Sequence, residues 1–228
     1  MMTDRPIPFT APMVRALLEG RKTQTRRTLK SSIMWFGTAW PVYVNGKRVG
    51  DSSDDPEMVP LPTADGGVIW SGPTPIVPGD RLWVREAWRC NDWASDLATI
   101  FYRASEGGGY TAMCEQYPVA GKAPLRVTGT WRSPRFMPRW ASRITLIVTD
   151  VRVQRVQEIS EDDAIAEGWP GPVTELGFPV AKPLNWYERL WDSINAKRPG
   201  CSWADNPFVA AISFRVIPKN IDQIAEAS

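Results

Sequence analysis

The chain contains no histidine. Serine–histidine–aspartate and cysteine–histidine nucleophile activation are thereby excluded, as is every histidine-ligated metal site. Acid–base chemistry, if there is any, falls to lysine, glutamate, aspartate, tyrosine or cysteine. Cysteine is scarce too: Cys90, Cys114 and Cys201 are odd in number, scattered and outside any CxxC spacing. That argues against a disulfide framework and a zinc site, and for a reducing compartment. No apolar run approaches the roughly 20 residues that cross a bilayer. Residues 1–9 carry Asp4 and two prolines where a signal peptide would have its apolar stretch. A cytoplasmic protein without a membrane partner is expected, and nothing in the sequence identifies a protein partner, metal or cofactor.

Excess charge is also missing. Lysine and arginine number 27 against 25 acids, a net charge of +2. No global basicity advertises a polyanion, so any such partner must be read from local clusters. What is present is the balance of a folded chain, 43% hydrophobic and 23% charged over 228 residues. One domain over 1–228 is expected, with 31–78 an insertion rich in proline and glycine and 218–228 a loosely attached tail.

Residues 7–9 read as a short edge strand, and Thr10 caps a helix with Pro12 in its first turn. Met13 with Leu17 and Val14 with Leu18 make i,i+4 apolar pairs, and Gly20 ends the helix as a left-handed cap. Within the insertion, Asn45-Gly46 suits the turn of a hairpin over 41–50. Pro78-Gly79-Asp80 is a turn into a strand over 81–88, in which Leu82, Val84 and Glu86 share one face. A further strand is read over 100–104. A long strand over 144–156 changes apolar parity near Thr149 and Asp150, as a bulge would make it do.

Ser160 opens a short helix with acids at its positive end. A second helix over 185–195 buries Tyr187, Leu190, Trp191 and Ile194, and alternation from Phe208 to Val216 gives a closing strand. Strands dominate and two or three short helices are interspersed. The expected class is therefore α+β, a compact mixed β-barrel.

Two acid-free stretches stand out. Arg21, Lys22, Arg26, Arg27 and Lys30 follow Gly20, with threonines between them. Such a run is ordinarily a solvated face, but alternating threonines suit a partly buried segment, and a loop after a tight helix cap is a common place for binding residues. The second stretch lies between Glu115 and Asp150. It holds Lys122, Arg126, Arg132, Arg135, Arg139 and Arg143, interleaved with Trp131, Phe136 and Trp140. Arginine beside aromatics suits phosphate contact and base stacking, although Trp131 and Trp140 are as readily read as core.

Two carboxylates are candidates on physical grounds. Glu167 precedes Gly168 at the end of its helix, where the dipole disfavours an anion, so a cationic partner or solvent is required. Glu86 shares the inward parity of Leu82 and Val84, and a buried acid needs a partner, which makes a structural ion pair the plain alternative.

Gly20-Arg21-Lys22-Thr23-Gln24-Thr25, the Gly79-Asp80-Arg81-Leu82 turn and strand, and the helix over 160–167 together resemble the ASCH family. Residues 5–27, 136–143 and 186–210 resemble the larger ASCH proteins encoded in phages and prophages. The resemblance covers most of the chain outside 31–78 and about 90–125. It implies a PUA-like β-barrel related to RNA-binding domains, in a bacterial or phage-infected cell, with RNA or a modified nucleoside or nucleotide as partner. Small members of the family hydrolyse the amide of N4-acetylcytidine with a lysine, a threonine and a glutamate, and these fall on Lys22, Thr25 and Glu167. The three are then expected on one cleft, which requires an irregular backbone, since Lys22 and Thr25 face opposite sides of a regular strand. Arg21, Arg26, Glu86, Arg135, Arg139, Trp140 and Arg143 are the candidate ligand-binding residues around it. A non-catalytic RNA-binding module and a phage accessory ribonuclease are the alternatives to an amidohydrolase.

Overall fold

The computed structural model describes residues 3–29, 41–44, 47–51, 59–62, 68–71, 76–107, 114–172 and 180–224. In chain order the elements are β1 (Asp4–Pro8), α1 (Ala11–Leu18), β2 (Gln24–Thr28), β3 (Pro41–Val44), β4 (Lys47–Asp51), β5 (Val59–Pro62) and β6 (Val68–Ser71). They continue with β7 (Arg81–Arg85), β8 (Trp88–Trp93), β9 (Leu97–Tyr102), β10 (Cys114–Pro118), β11 (Thr145–Arg155), α2 (Glu161–Ala166), α3 (Pro183–Asn195) and β12 (Phe208–Ile217). The class is α+β. Among the described residues no set of strand pairings closes into a barrel. No helix among them is long and apolar enough to cross a membrane.

The chain divides into two compact units. The first comprises Met1–Thr23, Gly79–Ile147 and Arg215–Ser228, and the second Gln24–Pro78 and Val148–Phe214.

In the first unit β7 lies between β1, which runs parallel to it, and the opening residues of β11, which run antiparallel. Gly79 adopts φ +92°, which only glycine accepts cheaply, and the turn it makes presents Asp80 inward. The amide and hydroxyl of Thr3 both donate to Asp80 Oδ1, at 2.9 and 2.8 Å, and so tie the start of β1 to the start of β7. Leu82, Trp83 and Val84 are all buried, so β7 is covered on both faces rather than one.

Helix α1 buries Met13, Val14, Ala16 and Leu17, while Leu18 is 43% exposed. Thr10 stands at its N-cap, its side chain making no capping hydrogen bond among the described residues, and Gly20 ends it at φ +73°. Strands β8, β9 and β10 form an antiparallel meander whose inward side chains, with Met137 and Ala141, make a closed cluster around Trp88, Ile100 and Tyr102. Full burial of an aliphatic or Met side chain such as Ile100 or Met137 contributes roughly 1.5–3 kcal/mol.

The end of the chain corrects an expectation. Asn220 Nδ2 donates to the carbonyls of Arg139, Trp140 and Ser142 at 2.9, 3.3 and 2.6 Å, and Ile221 is fully buried. Over these residues the tail is pinned, not loose. A polar side chain that satisfies three loop carbonyls is not visible to hydropathy.

In the second unit β12 lies between β11 and β2, and β2 pairs antiparallel with β12, Thr25 opposite Ile212. The apolar parity of β11 does switch: Leu146 and Val148 are buried, Thr149 and Asp150 exposed, and Val153 buried again. Val156, Ile159, Ala164 and Val209 pack with Tyr187 and Trp191 of α3. The expected burial of Ile194 is corrected. It is 48% exposed, and Asn195 turns inward instead, its side chain donating to the Trp191 carbonyl at 3.1 Å. Strands β3 and β4 form the antiparallel pair expected over 41–50, and β5 pairs antiparallel with β6. The Asn45-Gly46 turn itself lies outside the described residues.

Candidate functional site

The Gly20–Thr25 element spans the boundary of the units. Lys22 belongs to the first, and Thr25 and Glu167 to the second. In the first unit Lys22 is 1% exposed, although it sits in a run of cations that ordinarily would be solvated. Its amide donates to the Ala16 carbonyl at 3.0 Å, closing the turn after α1, and its ammonium lies 5.7 Å from the centre of the Phe9 ring. Arg21 takes the exposed side of the same turn, where its Nε donates to Glu19 at 2.7 Å.

In the second unit Gln24, Thr25 and Arg26 are consecutive and all buried, so β2 carries polar side chains into covered space on both faces. Arg26 is the hub. Its side chain is fully buried; Nη2 reaches Asp163 Oδ2 at 2.7 Å and Nη1 reaches Glu167 Oε1 at 3.3 Å and Gln24 Oε1 at 2.5 Å. The guanidinium lies 5.8 Å from the centre of the Tyr187 ring, and its Nε has no hydrogen-bond partner among the described residues. Arg26 therefore holds two carboxylates and is closed to solvent, not placed at a surface as a binding cation.

Both carboxylates are positioned by α2. Ser160 Oγ accepts from the Asp163 amide at 3.1 Å and starts the helix, and Glu167 is its C-cap residue. The helix dipole opposes the Glu167 anion, and Arg26 supplies the cation that this location requires. Burial pushes the Asp163 carboxyl up, but Arg26, Gln24 and Arg152 outweigh it and hold the group below its ordinary value. Burial, and then the Glu167 charge, push the Tyr187 phenol well up; the two side chains are hydrogen-bonded. Burial pulls the Arg27 guanidinium down against the opposing Glu167 charge. Asp163 and Tyr187 escaped sequence reasoning as members of this cluster. Their signals, a helix-start acid and one apolar position on α3, each have an ordinary explanation.

The other nominated residues lie in the first unit. Glu86 is 1% exposed and accepts from Arg143 through both oxygens, at 2.8 and 3.0 Å. Burial pushes the Glu86 carboxyl up while Arg143 pulls it down. The planar two-point geometry fixes the pair as a salt bridge. Arg143 also lies 4.0 Å from the centre of the Tyr102 ring. The Tyr102 and Tyr117 hydroxyls are 2.6 Å apart, and Tyr117 donates to Glu115 at 2.6 Å. Burial and then the Glu115 charge push the Tyr117 phenol far up. Trp140 is half-buried, edge-on to Tyr117 and Trp93 at 5.7 and 6.1 Å. Arg139 pairs with Asp4 and Asp222, at 2.5 and 2.7 Å. Arg135 stands exposed, with no acidic partner among the described residues, its guanidinium 5.3 Å from the Phe136 ring.

The nominated cations thus separate by what they touch. Arg21, Arg26, Arg139 and Arg143 neutralise carboxylates. Among the described residues Arg135 has no acidic partner. Comparison with protein-family models, with curated proteins and with solved structures returns no match.

Proposed function

We propose that the chain is an ASCH-type, PUA-like protein that binds RNA or a modified nucleoside, and that the reaction its residues suit best is hydrolysis of an N4-acylated cytidine. One observation supports the reading above others. Lys22, Thr25 and Glu167, nominated from sequence, are 1%, 3% and 3% exposed. Taking a lysine, a hydroxyl and a carboxylate out of water is costly and recurs where a site uses them.

The residue types suffice for the chemistry. A threonine hydroxyl is a weak nucleophile until a neutral amine takes its proton. Thr25 Oγ then attacks the amide carbonyl while Lys22 accepts the hydroxyl proton. The carbon–nitrogen bond breaks as Glu167 relays the proton taken up by Lys22 to the leaving exocyclic amine, which leaves both groups as they began. Water hydrolyses the resulting threonyl ester, releases the carboxylic acid and restores the hydroxyl. Hydrolysis of a panel of modified nucleosides, with Lys22→Ala as control, tests the reading. Turnover lost in that variant is expected, and no turnover of any acylated nucleoside by the wild-type protein would count against it.

A second reading is binding without turnover. The tie between Glu167 and Arg26 favours it, since a carboxylate paired with a buried guanidinium acts more readily as a fixed anion than as a proton donor.

A further inference from the structure

Helix α3 buries Tyr187 on its apolar face, where a phenylalanine would satisfy the packing. The hydroxyl is what packing leaves unexplained. Tyr187 is 2% exposed, and a phenol carried that far out of water needs a partner. Its partner is the Glu167 carboxylate, to which it donates. Pushed well up by burial and then by the Glu167 charge, the phenol keeps its proton and remains a donor. Both residues belong to the second unit.

The Tyr187 ring is held by three tryptophans. Trp186, Trp191 and Trp203 lie 6.5, 6.2 and 6.2 Å from it, centre to centre, the last edge-on at 70°. Two of them are themselves fixed. Trp191 Nε1 donates to the Cys201 carbonyl at 2.9 Å, and the Trp203 amide donates to Asp192 Oδ1 at 2.7 Å. Val156, Ile159, Ala164 and Val209 complete the enclosure. A close-packed side chain of this kind keeps one rotamer, so the hydroxyl stands at a fixed point beside Glu167.

The cations around Glu167 hold it less closely. Arg26 Nη1 stands 3.3 Å from Glu167 Oε1 but 2.5 Å from Gln24 Oε1, and Nη2 stands 2.7 Å from Asp163 Oδ2. Gln24 and Asp163 therefore set the Arg26 fork, and Glu167 has its longest contact. Arg27 acts on both Glu167 and Tyr187 through its charge. Charge attracts a carboxylate without choosing its torsion, whereas a hydrogen bond is directional. Glu167 ends α2 as its C-cap residue, and its long side chain has rotamer freedom to lose. A group that passes a proton must stand within hydrogen-bond reach of the atom that receives it.

We propose that Tyr187 is a positioning residue of the site, its phenol O–H fixing the Glu167 carboxylate in the orientation from which a proton reaches the leaving amine. The assignment rests on the hydrolytic reading and adds to it a residue that acts only through Glu167.

The test is steady-state hydrolysis of N4-acetylcytidine by the wild-type protein, Tyr187→Phe, Glu167→Gln and the double variant, with Lys22→Ala as the blank. Tyr187→Phe keeps the ring and removes only the hydroxyl. Its kcat falls about ten- to a hundredfold, as expected for one hydrogen bond to a charged group, while KM stays within about twofold. In the Glu167→Gln background the same substitution costs nothing further, because the phenol then has no carboxylate to place. A loosened fold would lower kcat in both backgrounds, so the cycle separates positioning from packing. If Tyr187→Phe turns over like wild type, or loses the same factor in both backgrounds, the positioning role is overturned while the hydrolytic reading stands. A raised KM with unchanged kcat overturns it too, since Tyr187 would then bind substrate. If wild-type protein hydrolyses N4-acetylcytidine no faster than Lys22→Ala, both fail.

Discussion

Arg26 Nη1 stands 3.3 Å from Glu167 Oε1 with the Arg26 side chain fully buried, and the same guanidinium holds Asp163 at 2.7 Å. Removing the cation takes an ion-pair partner from each of two acids, leaving Asp163 to Arg152 and Gln24 and Glu167 to Tyr187. Arg26→Met is therefore expected to destabilise the protein by about 3–5 kcal/mol, the cost of breaking a buried pair from one side. Urea unfolding measures it. Arg26→Lys should recover only part, because an ammonium lacks the planar fork that reaches both carboxylates. A loss below about 1 kcal/mol in Arg26→Met would mean that the acids are already served by solvent.

Acid should act through Asp4 and Asp163. The hydrogen bond from Arg81, helped by Arg139 and opposed by burial, holds the Asp4 carboxyl below its ordinary value, and Asp163 is lowered by the cations around it. Both folded-state values lie below the unfolded ones. Near and below pH ~4 the unfolded chain therefore binds more protons than the folded one. This contribution to stability is full above the unfolded value and is lost as pH falls through the lowered one. Asp4→Asn should flatten the stability-against-pH curve in that window and leave its slope at pH 6–8 unchanged.

The pinned chain end gives a third expectation. Asn220 Nδ2 serves three loop carbonyls, so Asn220→Ala should cost about 1–3 kcal/mol, the price of leaving buried acceptors unmet. Truncation after Pro218 should cost more, since it also removes the fully buried Ile221. Thermal unfolding of the two variants decides this, and an unchanged midpoint in the truncated chain would mean that the tail is dispensable.

These relationships differ in how far the residues announce them. Period-two and helical patterns, Gly20, Gly79 and the Ser160 cap are local chemistry, and the corresponding strands, turns and helices are found at or near the expected positions. That Glu167 needs a cation follows from its place at a helix end, but its partner Arg26 lies 141 residues away, a distance across which no periodicity speaks. Arg139 and Arg143 read as free cations because their stretch contains no acid. Their partners Asp4, Asp222 and Glu86 come from other elements. Conversely, Arg85 and Arg89 sit beside acids in sequence and so escape notice, yet stack on Trp83 and Trp131. Local pattern shows where charge is; only tertiary pairing shows which charge is spent.

The most direct test of the proposed chemistry compares N4-acetylcytidine hydrolysis with binding of the same nucleoside in Lys22→Arg. A guanidinium stays protonated at neutral pH and cannot take the Thr25 proton, but it contacts a phosphate or carbonyl at least as well as an ammonium. Turnover is predicted to fall by two or more orders of magnitude (about 10²–10⁴-fold for loss of general-base catalysis) while affinity changes little. Thr25→Ala should behave likewise. A wild-type protein that binds the nucleoside without hydrolysing it, with Lys22→Arg binding equally well, would contradict the catalytic assignment and leave Lys22 as an anchor.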